Sequence, residues 1–360
     1  MRLIAFAFTF IMSTQAFALK PVLFGPEFAL SPSQKGLSSH AVWERMKMHL
    51  IGAQPDGAKF TETVRNNRLA LDSPNGWWLS WYWDRGSMEV QTMPMTVEQF
   101  KHFKNDLQDA IFVSAANELY FPELWRGGGH INIDLENFRE NRLLYRNFVA
   151  DMLNHNELFL GIFNYDIRNA TPHEAMPIED AQYNILPQLF EPQAAFDILD
   201  QQLHGEASFE TMTEVFKKHI RGYSFSFYKM DKGRIELRAV RPQASMDVWI
   251  RQIELIEARL KYLEKFTTPI PYQQRVQLLG NPWLNRSLPP VHPQEALKSF
   301  YTYVTETGLK WQDHRDYLWP QWMWRQNENV PSELEIFENS VWFLNQEAKA
   351  KCERHLGVGT

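Results

Sequence analysis

The chain has 360 residues, of which 44% are hydrophobic, and carries a net charge of −6 with a pI near 6.0. That length and apolar content suffice to bury a full core, with one large domain expected, and near-average glycine and proline argue against repeats and disordered linkers. The mildly acidic balance excludes the clustered Lys and Arg that phosphate neutralisation requires, so nucleic acid is not an expected partner.

The first residues read as an export signal: Arg2 supplies positive charge, residues 3–12 form an apolar run, and Ala16-Phe17-Ala18 has the small-x-small pattern of a cleavage site. Cleavage is placed after Ala18, giving a periplasmic or secreted protein. The apolar run is too short to span about 30 Å of hydrocarbon, and no later segment is long enough, so no membrane anchor is expected after cleavage. Cys352 is the single cysteine, which excludes an intramolecular disulfide, so stability must come from the core.

Beyond the signal, alternation and helical spacing predict elements in the following order. A strand over 24–30 leads to a helix over 42–51, a strand over 79–92 and a helix over 97–119. A strand over 130–135 then precedes helices over 143–160 and 212–220. Strands over 223–230 and 234–240 are joined by Asp231-Lys232-Gly233, a connection suited to a hairpin, and a helix over 248–266 follows. From about Thr267 the composition shifts toward Pro, Asn and Trp, and a helical C-terminal part including 334–348 is expected. The cluster at 319–324, with three tryptophans, reads as core packing rather than a ligand platform. The division is therefore 1–18 signal, 19–270 main domain and 271–360 helical extension on the same domain. The fold class is α+β, with a mostly antiparallel sheet covered by helices on one face.

Residues i, i+2 and i+4 of a strand share a face, so each strand divides into an apolar and a polar side. Phe24, Phe28 and Leu30 oppose Gly25, Glu27 and Ala29; Met88 and Val90 oppose Ser87, Glu89 and Gln91. Ile131, Ile133 and Leu135 oppose His130, Asn132 and Asp134, and Ile235, Leu237 and Ala239 oppose Glu236 and Arg238. One polar residue on an open sheet face is ordinary. Three glutamates, a histidine and an arginine on the presented faces suggest carboxylates that hold Mg²⁺ and cationic groups that neutralise phosphate. Gly127-Gly128-Gly129 ahead of His130 would let backbone approach a ligand closely.

At these residues the chain resembles the amidoligases and glutamate–cysteine ligases of the glutamine synthetase-like superfamily. Phe24-Gly25-Pro26-Glu27-Phe28 is similar to their opening Gly-x-Glu-x-Glu strand, and Met88-Glu89-Val90-Gln91-Thr92-Met93-Pro94 to their second acidic strand. Gly129-His130-Ile131-Asn132-Ile133 resembles their Gly-x-His-x-His strand, and Arg234-Ile235-Glu236-Leu237-Arg238 their Glu-Phe-Arg strand, in the same order over roughly residues 20 to 270. The resemblance implies a glutamine synthetase-like catalytic sheet that binds ATP with Mg²⁺ or Mn²⁺ and joins a carboxylate to an amine. Glu27, Glu89 and Glu236 would hold metal, and His130, Asn132 and Arg238 would contact nucleotide phosphate or substrate, with Arg238 and His130 catalytic. The substrate would be a small molecule, a peptide or a cell-wall fragment. Ala29 and Asn132 depart from the family pattern, which puts one metal site in question. Compartments outside the cytoplasm generally lack ATP, so an inactive or altered binding protein on the same fold and a metal-dependent hydrolase or phosphotransferase stand as alternatives.

Overall fold

The computed structural model describes residues 19–32, 41, 44–48, 60–65, 68–84, 87–117, 120–122, 130–155, 192–203, 207–220, 225–226, 233–237, 243, 245–272 and 301–318. The α+β class and the antiparallel sheet are borne out. Nine strands lie among these residues: β1 (Phe24–Pro32), β2 (Thr61–Arg65), β3 (Arg68–Asp72), β4 (Trp78–Asp84), β5 (Ser87–Thr92), β6 (Tyr120–Pro122), β7 (His130–Asp134), β8 (Phe225–Ser226) and β9 (Arg234–Leu237). Their order is β2-β3-β4-β5-β1-β7-β9-β8, with β6 also on β1, and each pairing is antiparallel.

The expected single strand over 79–92 is corrected to a hairpin: β4 pairs back on β5 in the register Asp84↔Ser87. Strands β2 and β3 were not anticipated. Thr61-Glu62-Thr63-Val64-Arg65 sits at the sheet edge and is largely exposed, so it carries little of the alternation that marks a half-buried strand.

The helices are α1 (Val97–His102), α2 (Lys104–Leu107), a π-helical turn (Gln108–Val113), α3 (Ser114–Asn117), α4 (Glu136–Glu140), α5 (Arg142–Asn154), α6 (Pro192–Leu203), α7 (Phe209–His219), α8 (Met246–Leu263) and α9 (Trp311–Leu318). Thr96 starts α1 with a reciprocal capping box to Gln99, and Asn141, Ser208 and Ser245 cap α5, α7 and α8. The helix expected over 97–119 is thus a run of short pieces, and Ser114 Oγ donates to the Asp109 carbonyl 2.9 Å away within the wider π turn. Helix α6 was not anticipated, whereas α9 falls within the expected helical C-terminal part. Among the described residues no helix is long and apolar enough to cross a membrane.

The apolar face of the sheet meets this helical layer. Phe28 on β1 lies edge-on to Phe112 at 5.2 Å and to Trp249 of α8 at 5.5 Å, and Phe100 of α1 meets Trp249 at 5.3 Å. These rings are buried, and each contributes a large apolar area to one continuous core. Behind them, α5 carries a buried polar spine. Asp151 accepts from Arg259 Nε at 2.8 Å and Nη2 at 2.5 Å, and Arg259 Nη1 reaches Glu306 at 2.9 Å. Arg146 forms a two-pronged pair with Asp200 of α6 at 2.8 and 2.9 Å, and Asn147 accepts from the Ile270 amide at 2.9 Å. Helix α5 thereby ties α6, α8, residues 268–271 and residues 301–318 into one layer.

The predicted signal at 1–18, the glycine run at 127–129, Arg238, the tryptophan cluster at 319–324, the helix over 334–348 and Cys352 lie outside the described residues, as does most of the strand over 223–230.

Candidate metal centre

The central strands place the polar residues by register alone. Glu27 on β1 stands opposite His130 on β7 and Gln91 on β5, while Asn132 on β7 stands opposite Gly25 on β1 and Glu236 on β9. Cross-strand partners lie about 5 Å apart, so neighbouring rows on one face bring these side chains together. The polar face is not open: Glu236 is 0% exposed, Glu27 4% and His130 9%. Strand alternation predicts this polar face as a presented one; at this point it is enclosed.

Glu27, His130 and Glu236 each offer a ligand atom within 4.8 Å of the others. His130 Nδ1 is 3.0 Å from Glu27 Oε2 and 3.5 Å from Glu236 Oε1. The opposite oxygen of Glu27 is held separately. Oε1 accepts from Gln91 Nε2 at 2.8 Å and from Asn132 Nδ2 at 3.3 Å, with Arg234 Nη2 at 3.5 Å. Asn132 Nδ2 also donates to the Gly25 carbonyl at 3.1 Å, which fixes its amide with the NH₂ toward β1. Its buried Oδ1 has no hydrogen-bond partner among the described residues. That is uncommon for a buried acceptor, and it is what a bound cation or its water would satisfy.

The donor set fits a divalent cation. Two buried carboxylates this close repel each other, and a cation between them relieves the repulsion where water cannot. Carboxylate oxygens are hard ligands, and an imidazole nitrogen beside them shifts preference from Mg²⁺ toward Mn²⁺ or Zn²⁺.

Of the residues singled out from sequence, Glu27, His130, Asn132 and Glu236 are thus brought together. Glu89 lies on the same face and is buried, but in register with Ala29 and Tyr82 rather than within the three-residue group. Four contributors carried no assigned role: Gln91, Arg68, Tyr82 and Arg234. Gln91 bonds Glu27 directly; Arg68 Nη1 donates to Gln91 Oε1 at 3.2 Å; and Arg68 lies over the Tyr82 ring at 3.6 Å. Arg234 shares parity with Glu236, so strict alternation would have found it, whereas Arg68 and Tyr82 come from strands whose pairing no local signal gave.

No protein-family model and no curated protein matches this chain.

Proposed function

We propose that the protein is an exported ATP- and metal-dependent carboxylate–amine ligase on a glutamine synthetase-like sheet, forming an amide bond by way of an acyl phosphate. The observation that carries this reading is the convergence of Glu27, His130 and Glu236 within 4.8 Å on the polar face of an antiparallel sheet. They come from three of the four segments in which the sequence resembles the amidoligases.

In this reading Glu27 and Glu236 hold the metal, and His130, by its position between them, joins them. A divalent cation there supplies neutralisation of nucleotide phosphate charge. The chain's own groups do the rest. Asn132 keeps Glu27 turned toward the group, Arg234 adds a guanidinium beside Glu27, and Arg238 is the residue assigned to phosphate or substrate. A carboxylate becomes a competent acyl donor once phosphorylated, so the demands on the protein are positioning and charge stabilisation in a water-poor site. The carboxylate and amine would come from a small molecule, a peptide or a cell-wall fragment.

Ala29 favours a second reading. It stands opposite Glu89, so the second acidic group of the family pattern is replaced by a methyl in that row. A single-metal binding protein on the same fold would follow. Titration of ATP into the full-length mature chain, with and without Mn²⁺, tests both. Metal-dependent binding lost in Glu236→Gln, with phosphate release on adding an amine and a carboxylate, supports the ligase. Binding without any phosphate release supports the binding protein, and equal metal-independent binding in both forms overturns the ligase reading.

A further inference from the structure

We propose that Arg68 and Gln91 are positioning residues that turn Glu27 into a one-oxygen metal ligand, a relay running inward from strand β3 through β5 to β1. It rests on reading Glu27, His130 and Glu236 as a metal centre, but it concerns residues that reading does not use.

The two oxygens of Glu27 have different surroundings. Oε2 faces His130 Nδ1 at 3.0 Å, whereas Oε1 accepts from Gln91 Nε2 at 2.8 Å. A carboxylate free to rotate could offer both oxygens to a cation; one whose Oε1 is engaged by donors presents Oε2 alone. Gln91 can act this way only if its NH₂ points at Glu27. An amide reversed end for end would set its oxygen against the carboxylate. Arg68 decides the orientation, because a guanidinium carries donors and no acceptor, and its Nη1 donates to Gln91 Oε1 at 3.2 Å. The Gln91 NH₂ also lies 3.3 Å from the Tyr82 hydroxyl, and the Tyr82 ring supports the Arg68 guanidinium at 3.6 Å.

Register makes the relay rigid. Gln91 is the direct cross-strand partner of both Glu27 and Ser80, and β3 pairs with β4 through Ala70↔Ser80, which places Arg68 two residues along the same face. Outer groups that orient a metal ligand typically change metal affinity by about 10–100-fold when removed. Arg68 is half-buried on an outer strand, so its replacement should leave the core intact.

The test is Mn²⁺ affinity of the full-length mature chain, measured by calorimetry for wild type, Gln91→Met, Arg68→Met, the double variant and Arg68→Lys. Each single Met variant is expected to lose about 10–100-fold. The double variant should lose no more than Gln91→Met alone, because the two act in series. Arg68→Lys, which keeps a charged donor, should recover part of the loss, whereas a merely structural role would not distinguish it from Arg68→Met. Unchanged affinity in Gln91→Met, or losses that add in the double variant, would overturn the relay. A metal-free crystal structure of Gln91→Met separates this from the metal reading. The Glu27 carboxylate is expected to turn away from His130, and an unmoved carboxylate overturns the relay whatever Mn²⁺ does. Absence of Mn²⁺ binding by wild type would instead sink the metal centre, leaving that crystal structure to decide the relay.

Discussion

Glu27 and His130 face one another across the β1–β7 pairing, with 3.0 Å between Oε2 and Nδ1. A metal ligated by both must take the place of any proton between them, so binding should release protons and weaken as pH falls. Glu27→Gln and Glu236→Gln each exchange an anionic oxygen for a neutral amide with little change of volume. Each is expected to lower Mn²⁺ affinity by more than about 100-fold, beyond the loss typical of outer-shell changes. Calorimetry in two buffers of different ionisation enthalpy reads both affinity and proton release. Wild-type affinity in either variant would remove that residue from the ligand set.

Asp151 and Arg259 form a buried pair within the helical layer, 2% and 4% exposed at their side chains. Breaking such a pair from one side leaves an uncompensated charge, which costs about 3–5 kcal/mol. Asp151→Asn should therefore lower stability by that amount in urea denaturation. Asp151→Leu combined with Arg259→Met should recover much of it. A change within about 0.5 kcal/mol in the single variant would mean that the pair is solvated.

Burial pushes the His314 imidazole below its usual value, against the opposing pull of the Lys310 carbonyl and the Glu254 carboxylate. The unfolded chain then takes up this proton at about pH 6.5, and the folded chain only at lower pH. Between the two values the unfolded state binds more protons, so stability contributed here is complete above the unfolded value and falls as pH drops toward the folded one. His314→Gln should lose less stability than wild type between pH 7.5 and pH 5.5 in denaturant titrations. Equal losses would mean that His314 titrates alike in both states.

Trp249 is wedged between Phe28 and Phe100, so it couples the β1 strand that carries Glu27 to the helical layer. Trp249→Ala leaves a large cavity and is expected to cost about 3–5 kcal/mol in urea denaturation. An effect under about 1 kcal/mol would mean that the layers repack around it.

The sequence alone determined which residues share a face. Glu27, Glu89, Gln91, His130, Asn132 and Glu236 fall on the polar side of their strands because side chains alternate with a period of two, a property of the backbone that needs no partner. The helical stretches that build the covering layer were legible for a similar reason: the apolar spacing of α7 and α8 is local. The edge strand β2 was not, since an exposed edge strand has no buried face to impose alternation on its sequence, and in β3 the two buried residues Ala70 and Leu71 are adjacent rather than alternating. What only the tertiary structure decided is who meets whom. That Gln91 and His130 flank Glu27, that Asn132 rather than Glu89 shares its cluster, and that Arg68 reaches in from β3 all follow from strand order and register. Those are set by contacts between separate segments, from Arg68 with Gln91, 23 residues apart, to Glu27 with His130, 103 residues apart, and no local pattern encodes them.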